Sequence, residues 1–149
     1  MQTSASISIQ ATPSKVWSII SDIENAEDTI SGINKIEVLE TPKGASMKGL
    51  KWKEWRTFGG REATEVMWIT EARKDSHYVA RAESHGAVYE STMRIEKAEG
   101  GCTLTMSMDA QPVTFAAKVM WFLTGWMFKG AIKKACAADL ADIKAAAEA

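Results

Sequence analysis

The sequence predicts an α+β domain in which a bent antiparallel sheet closes around one long C-terminal helix. Three observations carry this reading. A helical run opened by Thr114 continues to about Ala146. At 1.5 Å per residue that run spans roughly 50 Å, whereas a compact domain of this length is only about 30–35 Å across. Directly before it lies a block of alternating, turn-delimited strands. A helix too long to sit inside the core must run across it and be gripped by something curved, and such an arrangement leaves a cavity between sheet and helix.

Each element has its own signal. Ser4 to Gln10 alternates, with Ala5, Ile7 and Ile9 on one face and serines between them, the pattern of a half-buried strand. Thr12-Pro13-Ser14 opens a helix, with a capping hydroxyl followed by proline at the first helical position. Val16, Trp17, Ile19 and Ile20 form its apolar stripe, and Ser21-Asp22 ends it. A second, acidic helix is expected over Glu24 to Ile30, stopping at Ser31-Gly32. Strands follow around Ile36 and Val38 and then over Met47 to Phe58, Arg61 to Ala72, His77 to Ser84, Val88 to Glu96 and Cys102 to Ala110. They are separated by turns at Thr41-Pro42-Lys43-Gly44, Gly59-Gly60, Lys74-Asp75, His85-Gly86 and Glu99-Gly100-Gly101, which reads as a meander of hairpins.

The last strand alternates most clearly. Cys102, Leu104, Met106, Met108 and Ala110 point one way and Thr103, Thr105, Ser107 and Asp109 the other, as expected for a sheet covered on one face. Tyr89, Ser91, Met93 and Ile95 repeat the pattern one strand earlier. Methionine fills irregular core gaps and also lines adaptable apolar surfaces, so Met93, Met106 and Met108 are either core filler or cavity wall. The expected wall is Trp68, Met93, Leu104, Met106, Met108 and Phe122, with Val66 and Trp68 taken as the dry face of their strand.

The terminal helix does not keep one stripe. Ile132, Cys136, Leu140 and Ile143 share a face, with Asp139, Asp142 and the lysines elsewhere. Earlier, Phe115, Val119, Phe122 and Trp126 form one face, while Met120, Trp121, Leu123, Met127 and Phe128 cover most of the rest. Gly125 or Gly130 is the natural place for a bend. A segment apolar all round must bury its second side. In order of preference, the partner is the short helices and cavity mouth, a second subunit in a homodimer, or a membrane.

Bulk properties bound the function. A length of 149 residues suits a single domain over residues 1–149 with a real core. With a formal net charge of -1, the chain lacks the basic stripe that nucleic-acid binding needs. Cys102 and Cys136 have no metal or disulfide spacing and sit in apolar patterns, as buried thiols in a reducing compartment do. The opening Met1 to Ala5 has neither the basic region nor the apolar run of a signal peptide, and no apolar stretch is long enough to span a bilayer. The cytoplasm is the expected location.

Catalytic patterns are sparse. His77 and His85 lie about 26 Å apart along one strand, too far to share a metal, so no metal and no cofactor is expected. No phosphate loop, nucleophile elbow or metalloprotease pair is present. Glu54, Arg56, Glu62 and Glu65 cluster across the Phe58-to-Arg61 turn. A solvent-facing ladder of ion pairs explains them. If Glu54 or Arg56 faced the cavity instead, either would anchor a polar ligand head, and a buried carboxylate there would suit general acid–base work. Trp52, Glu54 and Arg56 share one face while Lys53 and Trp55 share the other, so a tryptophan on each leaves the inner face open. Glu54, Arg56 and His85 are the candidate catalytic residues.

The run Ile7-Ser-Ile9-Gln-Ala-Thr-Pro13-Ser-Lys-Val16-Trp17-Ser-Ile-Ile20-Ser-Asp22 resembles the opening of the START-like (SRPBCC) superfamily, in its polyketide cyclase/dehydrase-type lipid-binding branch. The Glu99-Gly100-Gly101-Cys-Thr103 turn and the ending Leu140-Ala-Asp-Ile143-Lys-Ala-Ala-Ala-Glu148 are similar to that family too. The chain departs from many relatives at Glu27-Asp28-Thr29, where an aromatic commonly stands, and in its heavy Trp121–Phe128 segment. The resemblance implies a helix-grip fold: a curved seven-stranded antiparallel sheet, two short helices, and a long C-terminal helix over an apolar cavity. Members include ligand carriers, hormone receptors and aromatase/cyclases. The expected function is therefore binding or carriage of an apolar small molecule or lipid. The alternatives are a polyketide cyclase/dehydratase-like enzyme with one acid or base in the pocket, and an interaction module using the Trp121–Phe128 face.

Overall fold

The computed structural model describes all residues from Met1 to Ala149. Seven strands form one antiparallel sheet: β1 (Gln2–Ile9), β2 (Ile33–Glu40), β3 (Lys51–Phe58), β4 (Arg61–Arg73), β5 (His77–Ser84), β6 (Ala87–Ala98) and β7 (Gly101–Pro112). Their spatial order is β1-β7-β6-β5-β4-β3-β2, so the first two strands in sequence are the two edges. The chain crosses between those edges through α1 (Pro13–Ile20), a 3-10 turn (Ile23–Asn25) and the one-turn α2 (Ala26–Thr29). Helix α3 (Phe115–Glu148) follows the sheet. This is the helix-grip architecture.

Local chemistry sets the boundaries. Thr12 caps α1 by accepting a 3.1 Å hydrogen bond from the Lys15 amide, with Pro13 at the first helical position. The β3–β4 and β5–β6 hairpins both use two-residue turns with positive φ at each central residue, 61° and 79° at Gly59 and Gly60 and 50° and 73° at His85 and Gly86. That geometry matches the twist of the flanking strands. Register shifts between Ile33 and Lys35, Val38 and Glu40, and Ile69 and Glu71 add the local bends that curve the sheet.

Two expected elements differ. The strand placed over Met47 to Phe58 begins only at Lys51, because Gly49 has φ 94° and the Leu50 amide turns back to the Met47 carbonyl at 3.0 Å. The acidic helix over Glu24 to Ile30 is split into the 3-10 turn and α2.

Ile9, Val16, Ile69, Leu104, Leu140 and Ile143 are among the fully buried core residues, which bind the sheet, α1 and the second half of α3 together. Helix α3 runs unbroken through Gly125 and Gly130 for about 51 Å. It is tied at both ends. The Val113 amide donates to the Gly86 carbonyl at 2.7 Å, and Thr114 caps the helix by accepting from the Ala117 amide at 3.2 Å. Near the other end, Asp142 Oδ2 accepts from the amide and hydroxyl of Ser31, Lys144 donates to the Ser8 carbonyl, and Glu148 accepts from the Gln10 amide. No helix is long and apolar enough to cross a membrane.

Candidate ligand-binding site

Between the concave sheet face and α3 lies a partly open cavity of about 360 Å³. Its volume has a simple origin in the central strand. The inward positions of β5 are Tyr78, Ala80 and Ala82, so two successive inward side chains stop at a methyl group in the middle of the sheet. Ile19, Ile20 and Ile23 close one side, Met67, Met93, Met106 and Met108 the floor, and Ile132, Cys136 and Ile143 the roof.

One part of this apolar wall is ionic. Glu54 and Arg56, two residues apart on β3, point the same way, into the cavity. Arg56 Nε donates to Glu54 Oε1 at 2.9 Å, and Arg56 Nη1 donates to Asp139 Oδ1 on α3 at 3.0 Å. Glu54 Oε2 also accepts from Trp52 Nε1 at 3.4 Å. Gly32 makes room for the guanidinium, since a Cβ there would lie 3.2 Å from Arg56 Nη1. Guanidinium carries five N–H donors, and with two engaged by Glu54 and Asp139, three are left for a ligand or solvent.

The charges do not balance. Glu54 and Asp139 bring two carboxylates to one guanidinium, and Glu65, directly opposite Glu54 across the β3–β4 pair, lines the same cavity. Burial works against the charge on Arg56, but its hydrogen bond to Asp139 and the negative charges of Asp139 and Glu54 outweigh this and hold it protonated. Burial pushes the Asp139 carboxyl up; Arg56 opposes the shift, and Glu54 and Asp142 add to it. Burial, reinforced by Glu54 and Asp139, also raises the Tyr78 phenol, which stays neutral. At the β5–β6 turn, Ser84 Oγ donates to Glu65 Oε2 at 3.1 Å and lies 3.3 Å from His85 Nδ1. With the Ser84 proton directed at Glu65, Nδ1 is the donor of the second bond.

A family model described as polyketide cyclase / dehydrase and lipid transport matches residues 1–148. The chain belongs to that family. No curated protein matches the sequence itself. Among solved structures, the chain superposes on the di-domain ARO/CYC BexL from the BE-7585A biosynthetic pathway with a TM-score of 0.82 at 13% identity. That match covers 100% of this chain and 50% of the other, so the chain spans half the length of that protein. Zhui aromatase/cyclase from Streptomyces sp. R1128 gives 0.74 at 14% identity over 99% of this chain and 93% of that one. A START superfamily protein from Mycobacterium smegmatis gives 0.77 at 13%, covering 99% and 97%. At these identities the likeness shows the fold. Family and fold together support a ligand-binding or cyclase role.

In this polyketide cyclase/dehydrase family member, Met93, Met106 and Met108 line the cavity. Leu104 is completely buried in the core and does not reach the cavity. Trp68 is a correction: Met67 and Ile69 take the inner face of β4, and Trp68 lies outside with the Lys51 ammonium 6.0 Å from its ring centre. Both faces of that strand are apolar, so alternation alone does not choose between them. Phe122 is a second correction. It is 89% exposed, because the first half of α3 turns Trp121 and Phe128 toward the sheet instead. Glu54 and Arg56 are inside, not on a solvent-facing ladder, whereas Glu62 is outside and accepts from Asn34 Nδ2 at 2.9 Å. His85 sits exposed at the cavity rim.

Sequence reasoning missed Asp139 and Tyr78. A usable signal existed for Asp139: it lies three residues from Cys136 and one from Leu140, at the margin of the buried stripe.

Proposed function

We propose that the protein binds one neutral, apolar, carbonyl-bearing molecule between sheet and helix. The observation that carries this is the Arg56 guanidinium, set in a mostly apolar cavity and already neutralised in excess by Glu54 and Asp139. Its remaining donors favour an oxygen acceptor. The surplus of carboxylates disfavours an anionic one, since a further negative charge would face Glu54, Glu65 and Asp139 in a weakly solvated space. The volume falls at the small end of the roughly 300–1,000 Å³ usual for small-molecule sites. Binding or carriage without turnover is the preferred reading. Native mass spectrometry of freshly purified protein, followed by organic extraction, is expected to release an uncharged apolar compound. Repeated recovery of empty protein that also fails to bind apolar fluorescent ketones would remove the proposal.

A cyclase reading is favoured by a different observation, the juxtaposition of Asp139 and Arg56. A carboxylate made more basic by burial accepts a proton from carbon beside a carbonyl, and the guanidinium stabilises the resulting enolate oxygen. The enolate carbon then bonds to a second carbonyl carbon of the same molecule, whose oxygen takes up a proton to become a hydroxyl. This reading expects turnover of a poly-ketone that falls at least about 100-fold in Asp139→Asn. Ligand binding without turnover rules it out and leaves the binder.

A further inference from the structure

The first half of α3 is an apolar surface left open to solvent. Phe115, Phe122 and Trp126 are 83%, 89% and 76% exposed, and Leu123, Met120 and Met127 are more than half exposed. At 100° per residue, Phe115, Phe122 and Trp126 fall within an arc of about 40°. An outward stripe of this kind on a structured helix marks an interaction surface. Its charge says which kind. Between Asp109 and Asp139 the chain has no Asp or Glu, yet carries Lys118, Lys129, Lys133 and Lys134, all of them exposed. On the same helical projection Lys118 and Lys129 flank one margin of the aromatic stripe, Lys133 continues it, and Lys134 lies about 80° beyond the other margin, in line with Leu123 and Met127.

We propose that this face docks on an anionic phospholipid surface, with α3 lying in the plane of the bilayer interface. Helices that bind this way combine Trp, Phe and Leu on one face with lysines beside them, and do not need the length to span. Lysine stems reach past the apolar stripe to place their ammonium groups among the headgroups, and tryptophan favours the same depth. A second copy of the chain fits less well. Twofold pairing of this face would set four lysines against four lysines, with no carboxylate from the segment between Asp109 and Asp139 to answer them. Docking would also orient the cavity. On the opposite side of the same helix, Trp121 and Phe128 pack on Tyr89 and Phe58 with ring centres 6.4 and 6.3 Å apart, and Phe58, Tyr89 and Phe128 line the cavity. That end of the cavity would lie directly behind the membrane-facing helix.

The test is co-sedimentation of the whole protein with vesicles of phosphatidylcholine alone, or of phosphatidylcholine with about a third phosphatidylserine, near physiological salt. The wild type is expected to sediment with the anionic vesicles and much less with the neutral ones. Each lysine is worth about fivefold near an anionic surface, so replacing all four with glutamine is expected to lower partitioning by more than about 50-fold. Phe122→Ser with Trp126→Ser is expected to lower it at least tenfold. Both variants change exposed side chains, and each is checked by circular dichroism and by binding of an apolar probe in the absence of vesicles. Failure of the wild type to bind anionic vesicles, or equal binding to both vesicle types, would overturn the proposal. So would a wild-type dimer in sedimentation velocity that the Phe122/Trp126 variant converts to monomer.

Discussion

Arg56 Nη1 lies 3.0 Å from Asp139 Oδ1, joining the third strand to the terminal helix across 83 residues of sequence. The contact is the ionic bridge between the two walls of the cavity. The Asp139 side chain is only 8% exposed and that of Arg56 22%, so removal of either charge strands the other away from full solvation. Arg56→Leu is expected to destabilise the fold by about 3 kcal/mol, because Glu54 and Asp139 lose their shared counter-charge. Urea denaturation at neutral pH measures it. The loss should shrink in acid, as the Asp139 carboxyl, raised by burial, takes up its proton.

Asp139 makes a separate pH prediction. Its folded carboxyl titrates above the ordinary value of 3.8, chiefly through burial. The folded state therefore holds that proton more tightly than the unfolded chain does. The resulting stabilisation is complete below pH 3.8 and is lost as the pH rises through the folded value. Asp139→Asn should remove this dependence. Urea midpoints for the two proteins are expected to diverge as pH rises from 3.8, with the wild type losing ground; a constant gap would contradict the assignment.

Much of the fold was legible because its signals were local and redundant. The Thr12-Pro13 cap, the Gly59-Gly60 and His85-Gly86 turns, and the alternation of Cys102 to Ala110 each needed only neighbouring residues. The site was harder. Trp52 and Trp55 put an aromatic on both faces of β3, and Val66, Met67, Trp68 and Ile69 are apolar on both faces of β4, so inside and outside there depend on tertiary curvature. Asp139 read as one of the polar residues of α3. Its place at the margin of the buried stripe was legible, but its partner Arg56, distant in sequence, was not.

The glycines give a stability contrast. Gly86 has φ 73°, and a Cβ there would fall on the Thr114 side chain that caps α3. Gly86→Ala is expected to cost about 1–3 kcal/mol and to loosen the start of the helix. At Gly125 and Gly130 a Cβ would meet nothing within 4 Å. Alanine at either helical site is expected to stabilise by up to about 1 kcal/mol. Thermal and urea unfolding of the three variants checks the signs.

Strand parity on β4 and β5 fixes which substitutions reach the cavity. Ala82 lies on the cavity wall opposite Met67 in register. Ala82→Leu fills part of the space and is expected to weaken binding of an apolar probe at least about tenfold. Trp68→Ala, on the outer face, should leave binding within about twofold. Fluorescence titration distinguishes them, and a reversed order would place the ligand elsewhere.

The most direct test uses a matched pair of ligands that differ only in charge at the polar end, 2-acetylnaphthalene and 2-naphthoate, titrated calorimetrically at neutral pH. The neutral ketone is expected to bind at least about tenfold more tightly than the carboxylate, and to lose that affinity in Ala82→Leu. Tighter binding of the naphthoate would show that Arg56 retains net positive charge toward a ligand, and binding of neither would contradict a ligand cavity between the sheet and α3.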